Sequence, residues 1–568
     1  MAGTALDHQL TELEAHRYRF GRNQAAGVVK LLNRLDAARF PDTRSLIRFH
    51  EALLFLRAFP QGPSVVRAAE HILNSFHKKV AALRKAGADF DIDDFDTFEV
   101  SGIAGTEMED TLSFDVARWL IKRMPNKVEI AWDSYEPGRE LGTTGPRIMP
   151  LVEDDSYVEA DTPWRRWLET AAGRKNGTAE WLISRFEQMP LPSQQKAELY
   201  ESLRLPLRWR LENSTITRTR NWKPVPNIFY HSEPLISRSQ VSLATELARR
   251  PPQLTRLSRQ RGEQVMDLIR EVMLVRYREL YGTTLGDPRS VVRADVGRGV
   301  TIYLWSLPPE RRLPLRAYVA GLTLKNGVPI NYIEAIGLCE WVEVGFNTFY
   351  TFRGGEAGWI YAQALRCLCR LMGTTCVSVY PYQLGHDNDE AIESGAFWFY
   401  RKLGFRPGSA ELCKVAEREE KKIAADSKYR TPARILKRLA AEHVFYELPG
   451  SEVGAWDSFS TRNIGLRVNR RMARDFGGDA GRMREQSIGA LERMLGMSAA
   501  SWTAPERVSF DNFALVLTSG PGLRAWTREE KAELVKIIRA KAKANEMLYL
   551  HLTQRHGRLR RALRSLGT

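Results

Sequence analysis

The spacing of apolar residues changes twice along this chain, and the changes predict where helices and strands lie. In the first 86 residues, Leu31, Leu32 and Leu35 recur among polar positions at helix-like intervals, which predicts amphipathic helices. From about Val291 the pattern becomes strand-like, and after residue 451 it is mostly helical again. The chain is therefore predicted to be an α/β protein with mainly helical N- and C-terminal regions.

One β-hairpin is predicted with particular clarity. Two apolar runs, 316–325 and 328–336, are separated only by Asn326 and Gly327. A type I′ turn needs positive φ at both central residues, and Asn-Gly meets that need better than almost any other pair. The sequence therefore predicts adjacent antiparallel strands joined by this turn.

Strands and helices are predicted to alternate beyond the hairpin. Gly404 follows an apolar helical run, and glycine commonly ends a helix because it adopts the left-handed conformation at little cost. The predicted elements are a strand at 338–344, a turn at 353–358, a helix at 359–372, a strand at 376–382, a helix at 391–403, a strand at about 405–415 and a further strand at 443–448.

Shifts in composition divide the sequence into five predicted regions. Acidic residues crowd between Asp89 and Asp96, and prolines interrupt the stretch that follows. The regions are a helical one at 1–86, a mixed α/β one with the acidic loop at 87–245, a helical lead-in at 246–295, a core at 296–450 and a helical region with a basic tail at 451–568.

Composition limits the classes of protein that this chain can belong to. A chain of 568 residues is too long for one ordinary core, so roughly two to four domains are expected. The net charge of +16 predicts attraction to polyanions such as nucleic acid or a phosphorylated cofactor. No uncharged apolar run reaches the roughly 18 residues that a membrane-spanning helix needs, so we expect no membrane insertion.

Cellular location and redox state are also predicted from the residues. The N-terminus lacks the basic start and apolar stretch of a secretory signal, so a cytoplasmic protein is expected. Five cysteines, an odd number, lie between Cys339 and Cys413 without two well-spaced ligand pairs. We therefore expect reduced thiols and no bound metal.

Two motifs carry a family resemblance. The stretch from Ala396 to Phe405 reads Ala-x-x-x-Tyr-x-Lys-x-Gly-Phe, and a glycine-rich turn, 353–358, precedes it between a strand and a helix. Together with the order of the predicted elements, they resemble the GNAT superfamily of acyl-CoA N-acyltransferases over about residues 296–450. The resemblance implies a mixed central sheet flanked by helices, with acetyl-CoA or another acyl-CoA as co-substrate.

The resemblance assigns the glycine-rich turn to the cofactor's pyrophosphate, which the first amides of a helix would bind. Glu356 stands where the family pattern has a glycine, and a carboxylate there would repel phosphates unless it turns outward to cap the helix. Asn388 is a candidate contact to the pantetheine arm. The predicted cofactor-binding residues are Arg353, Gly354, Gly355, Ala357, Gly358 and Asn388.

The same resemblance assigns the catalytic roles. Tyr400 would donate a proton to the departing thiolate while an amine substrate attacks the thioester directly. Glu340 or Glu343 would accept the proton from the amine. Side chains alternate on a strand, so these two glutamates face opposite sides and at most one can serve.

A second hypothesis rests on the basic segments. Arginines alternate with aromatic residues at Arg208-Trp209-Arg210 and from Arg218 to Lys223, and the C-terminal tail is also basic. Guanidinium groups pair with phosphates, and aromatic rings stack on bases. The alternative is therefore a catalytically silent GNAT-fold protein that binds nucleic acid or a protein partner through its basic surface.

Overall fold

The chain forms two compact units, each assembled from several segments. A computed structural model describes residues 2–21, 24–87, 91, 93–97, 99–135, 139–150, 163–173, 177–212, 214–520 and 522–568. The first unit comprises Met1–Pro234, Met266–Thr284 and Asn326–Pro329. The second comprises Leu235–Val265, Leu285–Lys325 and Ile330–Thr568. The five regions inferred from composition remain a prediction about the sequence, and Asp89 of the acidic stretch lies outside the described residues.

Helices occupy the start of the first unit, where the leucine spacing predicts them. Leu31, Leu32 and Leu35 are all buried. The helices are α1 (Ala2–His16), α2 (Gln24–Ala37), α3 (Thr43–Ala58), α4 (Pro63–Asn74) and α5 (Phe76–Ala86).

The rest of the first unit is a small antiparallel sheet with helices around it. The strand order is β1-β3-β2, and Trp209 of the central strand is completely buried in an apolar core. The elements are β1 (Glu107–Thr111), α6 (Phe114–Arg123), β2 (Val128–Ile130), α7 (Arg139–Ile148), α8 (Trp164–Ala172), α9 (Thr178–Gln188), α10 (Ser193–Ser202) and β3 (Pro206–Arg210).

The strands that follow belong to one nine-stranded sheet. The elements up to the glycine-rich turn are α11 (Leu243–Ala248), β4 (Thr255–Arg256), α12 (Arg259–Leu274), α13 (Tyr281–Thr284), β5 (Val292–Gly297), β6 (Val300–Ser306), β7 (Ala317–Lys325), β8 (Val328–Leu338) and β9 (Trp341–Thr348). The predicted hairpin is confirmed, because Asn326 and Gly327 both have positive φ between neighbouring strands β7 and β8.

Helices and short strands complete the second unit. They are α14 (Ala357–Met372), β10 (Cys376–Val379), α15 (Pro381–Leu384), α16 (Asp389–Glu393), α17 (Ala396–Arg401), β11 (Arg406–Pro407), α18 (Ala410–Ala425), α19 (Ala433–Leu439), β12 (Val444–Glu447), α20 (Thr461–Phe476), α21 (Ala480–Leu495), α22 (Ala504–Leu517), α23 (Arg528–Lys541), α24 (Glu546–Arg555) and α25 (Gly557–Gly567). The strand order is β11-β12-β10-β9-β8-β7-β6-β5-β4. A mixed sheet flanked by helices, as predicted, is confirmed.

The parallel pair β9 and β10 diverges part of the way along. Their register runs from Trp341 opposite Cys376 to Glu343 opposite Ser378. β9 continues to Thr348 with pairing only to β8, while β10 ends at Val379. Pairing between the two strands therefore stops before their carboxyl ends, and we call this end of the β9–β10 pair the opening.

The two faces of the sheet around β9 have different coverings. Phe346 points toward α14, where its ring centroid lies 4.9 Å from that of Tyr361. Trp341 points the other way and stacks on Trp456 at 5.4 Å, within a core that the C-terminal helices share. Because side chains alternate along a strand, Glu343 lies on the same face as Trp341.

Two predicted elements differ from the observed ones. The single helix predicted at 391–403 is wrong, because Gly395 adopts φ 66° and separates α16 from α17. The strand predicted at about 405–415 ends at Pro407, where Ser409 caps the start of α18 by accepting a hydrogen bond from the Leu412 amide. In both places a local turn or cap overrides the apolar spacing.

Within the described ranges, no helix has both the length and the apolar character required to cross a bilayer.

Candidate functional site

The glycine-rich turn lies directly after β9, at the opening between β9 and β10. Arg353 is partly exposed there, and its Nη2 lies 2.5 Å from Oε1 of Glu390 at the start of α16. Its guanidinium also lies 5.4 Å from the ring centroid of Tyr350. Gly354 is exposed and Gly355 is half-buried, so the backbone of the turn reaches the surface.

The first turn of α14 has no side-chain cap, and its Gly358 is buried. Glu356 occupies the N-cap position but makes no side-chain hydrogen bond to the helix, and Ala357 and Gly358 follow it. A helix start of this kind presents unpaired N–H groups and a positive potential. A Cβ on Gly358 would meet the Arg238 Cα at 3.3 Å, so a neighbouring backbone segment passes closely over this turn.

Glu356 takes neither of the two orientations considered from the sequence. Its side chain is fully buried and points to Arg298, whose Nε donates to the carboxylate at 3.0 Å and whose Nη2 also donates to it. Lys325 Nζ lies 3.5 Å away, and the Ile236 amide donates at 3.1 Å. Burial alone would raise the pKa of Glu356, but the bonds from Arg298 and the charge of Lys325 outweigh it and lower the pKa.

Glu356 therefore does not add negative charge to the turn. The carboxylate lies between two cations, so Glu356, Arg298 and Lys325 together carry a net positive charge. Lys325 is fully buried, and burial lowers its pKa to about 8 despite the attraction of Glu356. The ion pairs of Glu356 with Arg298 and Lys325 hold the turn in place.

Further cations lie beside the same helix start, and sequence reasoning missed them. Arg238 packs its Cβ and Cγ against Gly358. Burial lowers the pKa of Lys402, and the nearby charges of Arg238 and Arg430 lower it further. Arg238 belongs to no motif, and the motif that contains Lys402 assigned it no contact with this turn.

Tyr400 lies on the side of the sheet where α14 packs. Its ring centroid is 5.6 Å from that of Tyr361 and 5.7 Å from that of Phe405. The residue is 4% exposed, and burial raises the pKa of its hydroxyl, which keeps it protonated at neutral pH. The neighbouring Tyr361 hydroxyl is buried without a hydrogen-bond partner.

The structure distinguishes the two candidate bases clearly. Glu343 is partly exposed at the last position of β9 that pairs with β10, and its Oε2 lies 2.9 Å from Nε2 of His443. Arg316 Nη1 lies 3.7 Å from its other oxygen. The exposed Tyr380, just after β10, packs edge-on against His443 at 5.3 Å.

Glu340 instead belongs to the packing of the C-terminal helices. Its Oε1 accepts hydrogen bonds from Trp456 Nε1 at 2.9 Å and from Arg560 Nε at 2.7 Å. It precedes β9, at the end of the strand away from the opening. A carboxylate held in this way has a structural role.

Asn388 is engaged in local structure. Its Oδ1 accepts a hydrogen bond from the Ala391 amide at 3.1 Å and caps α16, while its Nδ2 donates to the Tyr382 carbonyl at 3.0 Å. Both polar atoms of the amide have partners. The residue therefore shapes the loop after β10, and its predicted contact with pantetheine remains a prediction.

Several arginines of the hypothesised nucleic-acid surface serve the interior of the first unit. Arg218 is 2% exposed and lies 3.8 Å from Glu51, so it cannot reach a phosphate backbone. Arg208 donates to Glu109 and Asp133. At 208–210 the alternation reflects buried and ion-paired positions on strand β3, whereas Arg218 is buried outside any strand.

All five cysteines are free, and three of them are buried. No group of three or more His, Cys, Asp or Glu side chains among the described residues could hold a metal ion.

Comparison of the chain with protein-family models, with curated proteins and with solved structures finds no match.

Proposed function

We propose that the second unit is an acyl-CoA-dependent N-acyltransferase of the GNAT type. The proposal rests mainly on the end of pairing between β9 and β10 ahead of α14. The amides at the start of α14 are not capped by the Glu356 side chain. The order of the elements follows the order that the resemblance implies. It is a hairpin, a strand, the glycine-rich turn, a helix, a parallel strand, further helices and a closing strand.

The surroundings of α14 suit a pyrophosphate. Helix-start amides and cations together favour anions, and charge-assisted hydrogen bonds are about twice as strong as neutral ones. Arg353 would exchange Glu390 for a phosphate oxygen, at small cost because both side chains are about 40% exposed. Arg238 and Lys402 would add positive charge on the other side of Gly358.

Glu343 and Tyr400 would divide the proton transfers. As the amine nitrogen attacks the thioester carbonyl carbon, Glu343 takes its proton, directly or through His443 or water. The carbon–sulfur bond then breaks, and the sulfur accepts a proton from the Tyr400 hydroxyl. The products are the N-acyl amine and the free thiol of CoA, with no covalent enzyme intermediate.

We expect Tyr400→Phe to lower kcat for acyl transfer by about 10²-fold, the lower end of the range for acid catalysis. A thiol of pKa near 8.5 leaves fairly readily, so the acid contributes less than it would for a poorer leaving group. Thiol release during amine acylation measures the rate. Because the ring stays in place, acyl-CoA affinity should not change.

Tyr361→Phe is the matched control for Tyr400→Phe. Its hydroxyl is also buried but has no hydrogen-bond partner, so its removal should leave the rate unchanged and should not destabilise the fold. Full turnover by Tyr400→Phe would remove the tyrosine from the mechanism while leaving the proposed activity intact.

Binding of acetyl-CoA to the full chain tests the proposal itself. We expect a saturable calorimetric signal with one site per chain, weakened by added salt because phosphate contacts are screened. Arg353→Ala should weaken binding, whereas Arg208→Ala, in the first unit, should not. Absence of heat at millimolar acetyl-CoA would contradict the proposal and favour a catalytically silent protein with a macromolecular partner.

A further inference from the structure

One helix of the second unit has an exposed face that the proposed reaction does not use. Helix α20 carries five arginines and a single carboxylate, that of Asp475, in 16 residues. All of its residues are described, and only Ile464 and Phe476 are buried. These two residues mark the inner side of the helix. Four arginines on the other side are exposed, and we call them the arginine face: Arg462, Arg467, Arg470 and Arg474.

Most of the arginine face makes no interaction within the described chain. No hydrogen bond or ion pair joins Arg462, Arg467 or Arg470 to another described residue. Arg471, on the inner side of the same helix, differs from them. Its Nη1 donates to the Ser487 hydroxyl at 3.1 Å and to the Thr518 hydroxyl at 2.5 Å. Internal contacts therefore explain Arg471 but not the three exposed arginines.

Neighbouring arginines of this face repel each other. Arg470 and Arg474 are four residues apart and so lie on one side of the helix. Like charges at this spacing destabilise a helix. Asp475 pairs with Arg474 at 2.6 Å, yet the Arg474 side chain is 76% exposed. A polyanion bound along the arginine face would neutralise these charges and remove the repulsion.

The arrangement of the side chains fits the major groove of duplex DNA. At 3.6 residues per turn, Arg462 and Arg467 project about 140° apart around the helix, with Leu466 between them. Leu466 is 44% exposed although its side chain is apolar. A major groove about 12 Å wide admits a helix, with phosphates along both rims and thymine methyl groups inside. The arginines would reach the rims, and Leu466 would contact the methyl groups.

Other anionic partners fit this face less well. A helix that binds a membrane surface inserts its apolar side into the lipid, but Ile464 and Phe476 are buried in the protein. The major groove of A-form RNA is too deep and narrow for side chains to read. The cations of α20 are all arginines, whose planar guanidinium groups match the geometry of phosphate.

We infer that the arginine face of α20 is a docking surface for double-stranded DNA. Arg462, Arg467 and Arg470 pair with phosphates on the two rims of the major groove. Phosphate contacts carry no sequence information directly, so binding is largely independent of base sequence. The surface is separate from the proposed acyltransferase site and does not depend on its activity.

The test measures binding of the full chain to a labelled DNA duplex of about 20 base pairs by fluorescence anisotropy, in salt from about 50 to 200 mM. Each phosphate contact contributes about 0.9 to the slope of log K against log salt concentration. The triple variant Arg462→Gln, Arg467→Gln and Arg470→Gln should therefore lower that slope by about 2 to 3 and weaken binding about 10-fold or more. Circular dichroism checks that the helix content is unchanged.

Helix α18 provides the matched control. It also has 16 residues, but four glutamates accompany its cations. Lys414→Gln, Arg418→Gln and Lys421→Gln together change the net charge by the same amount and should leave the affinity within about twofold, because exposed charges away from the duplex are screened. A second variant of α20 replaces the same three arginines by lysine. It keeps the charges and should keep the salt slope.

Three results would overturn the inference: no binding of DNA by the unaltered protein at low salt, equal weakening by the two glutamine triple variants, or loss of binding in the lysine variant. Tighter binding of an RNA duplex of the same sequence, or competition by polyglutamate as strong as that by unlabelled DNA, would also overturn it by identifying another partner. DNA binding without binding of acetyl-CoA would support the surface and contradict only the proposed acyltransferase function.

Discussion

Glu343→Gln is expected to lower kcat/KM for amine acylation by about 10²- to 10⁴-fold, the usual contribution of a general base. Glutamine keeps the shape of the side chain and can still accept a hydrogen bond from His443, but it cannot take a proton. Because Glu343 faces away from α14, acetyl-CoA affinity should stay the same. The measurement pairs steady-state rates at saturating acetyl-CoA with calorimetric titration of the cofactor.

Glu340→Gln provides the comparison for Glu343→Gln. Both glutamates lie on or next to β9, yet Glu340 is bound to Trp456 and Arg560. We expect its replacement to affect stability and to leave kcat within about twofold, since it removes no proton acceptor from the reaction. If Glu340→Gln lost activity and Glu343→Gln kept it, the assignment of the base would be reversed.

Glu356→Ala is expected to destabilise the second unit by about 3 kcal/mol, because the change leaves the fully buried Lys325, and the partly exposed Arg298, without their counter-charge. Hydrogen exchange of peptides from β7 and α14 across a urea series gives the local free energy of unfolding. A single transition for the whole chain is unsuitable, since a chain of two units need not unfold in one step.

Two variants control the interpretation of Glu356→Ala. Glu390→Ala removes the ion pair with Arg353. Because both side chains are about 40% exposed, the free energy of unfolding should fall by less than about 1 kcal/mol. Replacing the three charges together, with Arg298→Met, Lys325→Met and Glu356→Leu, should recover most of the loss. Equal effects of Glu356→Ala and Glu390→Ala would show that burial of the group is not energetically important.

The pH dependence of stability gives a separate measure of Glu356. Its pKa is below the ordinary 4.5 in the folded chain, so its contribution is fully present above that pH. The contribution is lost as pH falls through the lowered folded value, because the unfolded chain then binds the proton first. Glu356→Ala should therefore flatten the acid side of the stability curve for α14.

The buried carboxylate also bears on the departure from the family pattern. From sequence, Glu356 in a phosphate turn suggests repulsion of the cofactor. In the fold, the side chain is paired with Arg298 and Lys325 instead. The departure is consistent with cofactor binding provided that Arg298 and Lys325 stay in place.

Local sequence determined the elements that depend on neighbouring residues. Asn326-Gly327 specified the hairpin because positive φ at both positions is a property of those two residues. The apolar spacing specified α14 and the N-terminal helices. The same spacing failed at Gly395 and Ser409, where one residue's turn or cap outweighed a longer apolar pattern.

Only the tertiary structure shows what surrounds each charged residue. Sequence left Glu340 and Glu343 as equal candidates for the base; in the fold Glu340 accepts hydrogen bonds from Trp456 and Arg560, whereas Glu343 lies beside His443. Arg238 and Arg298 gave no sequence signal. The physical reason is that the behaviour of a charged group depends on its burial and on its partners through space, and neither quantity is encoded within a few residues of the group itself.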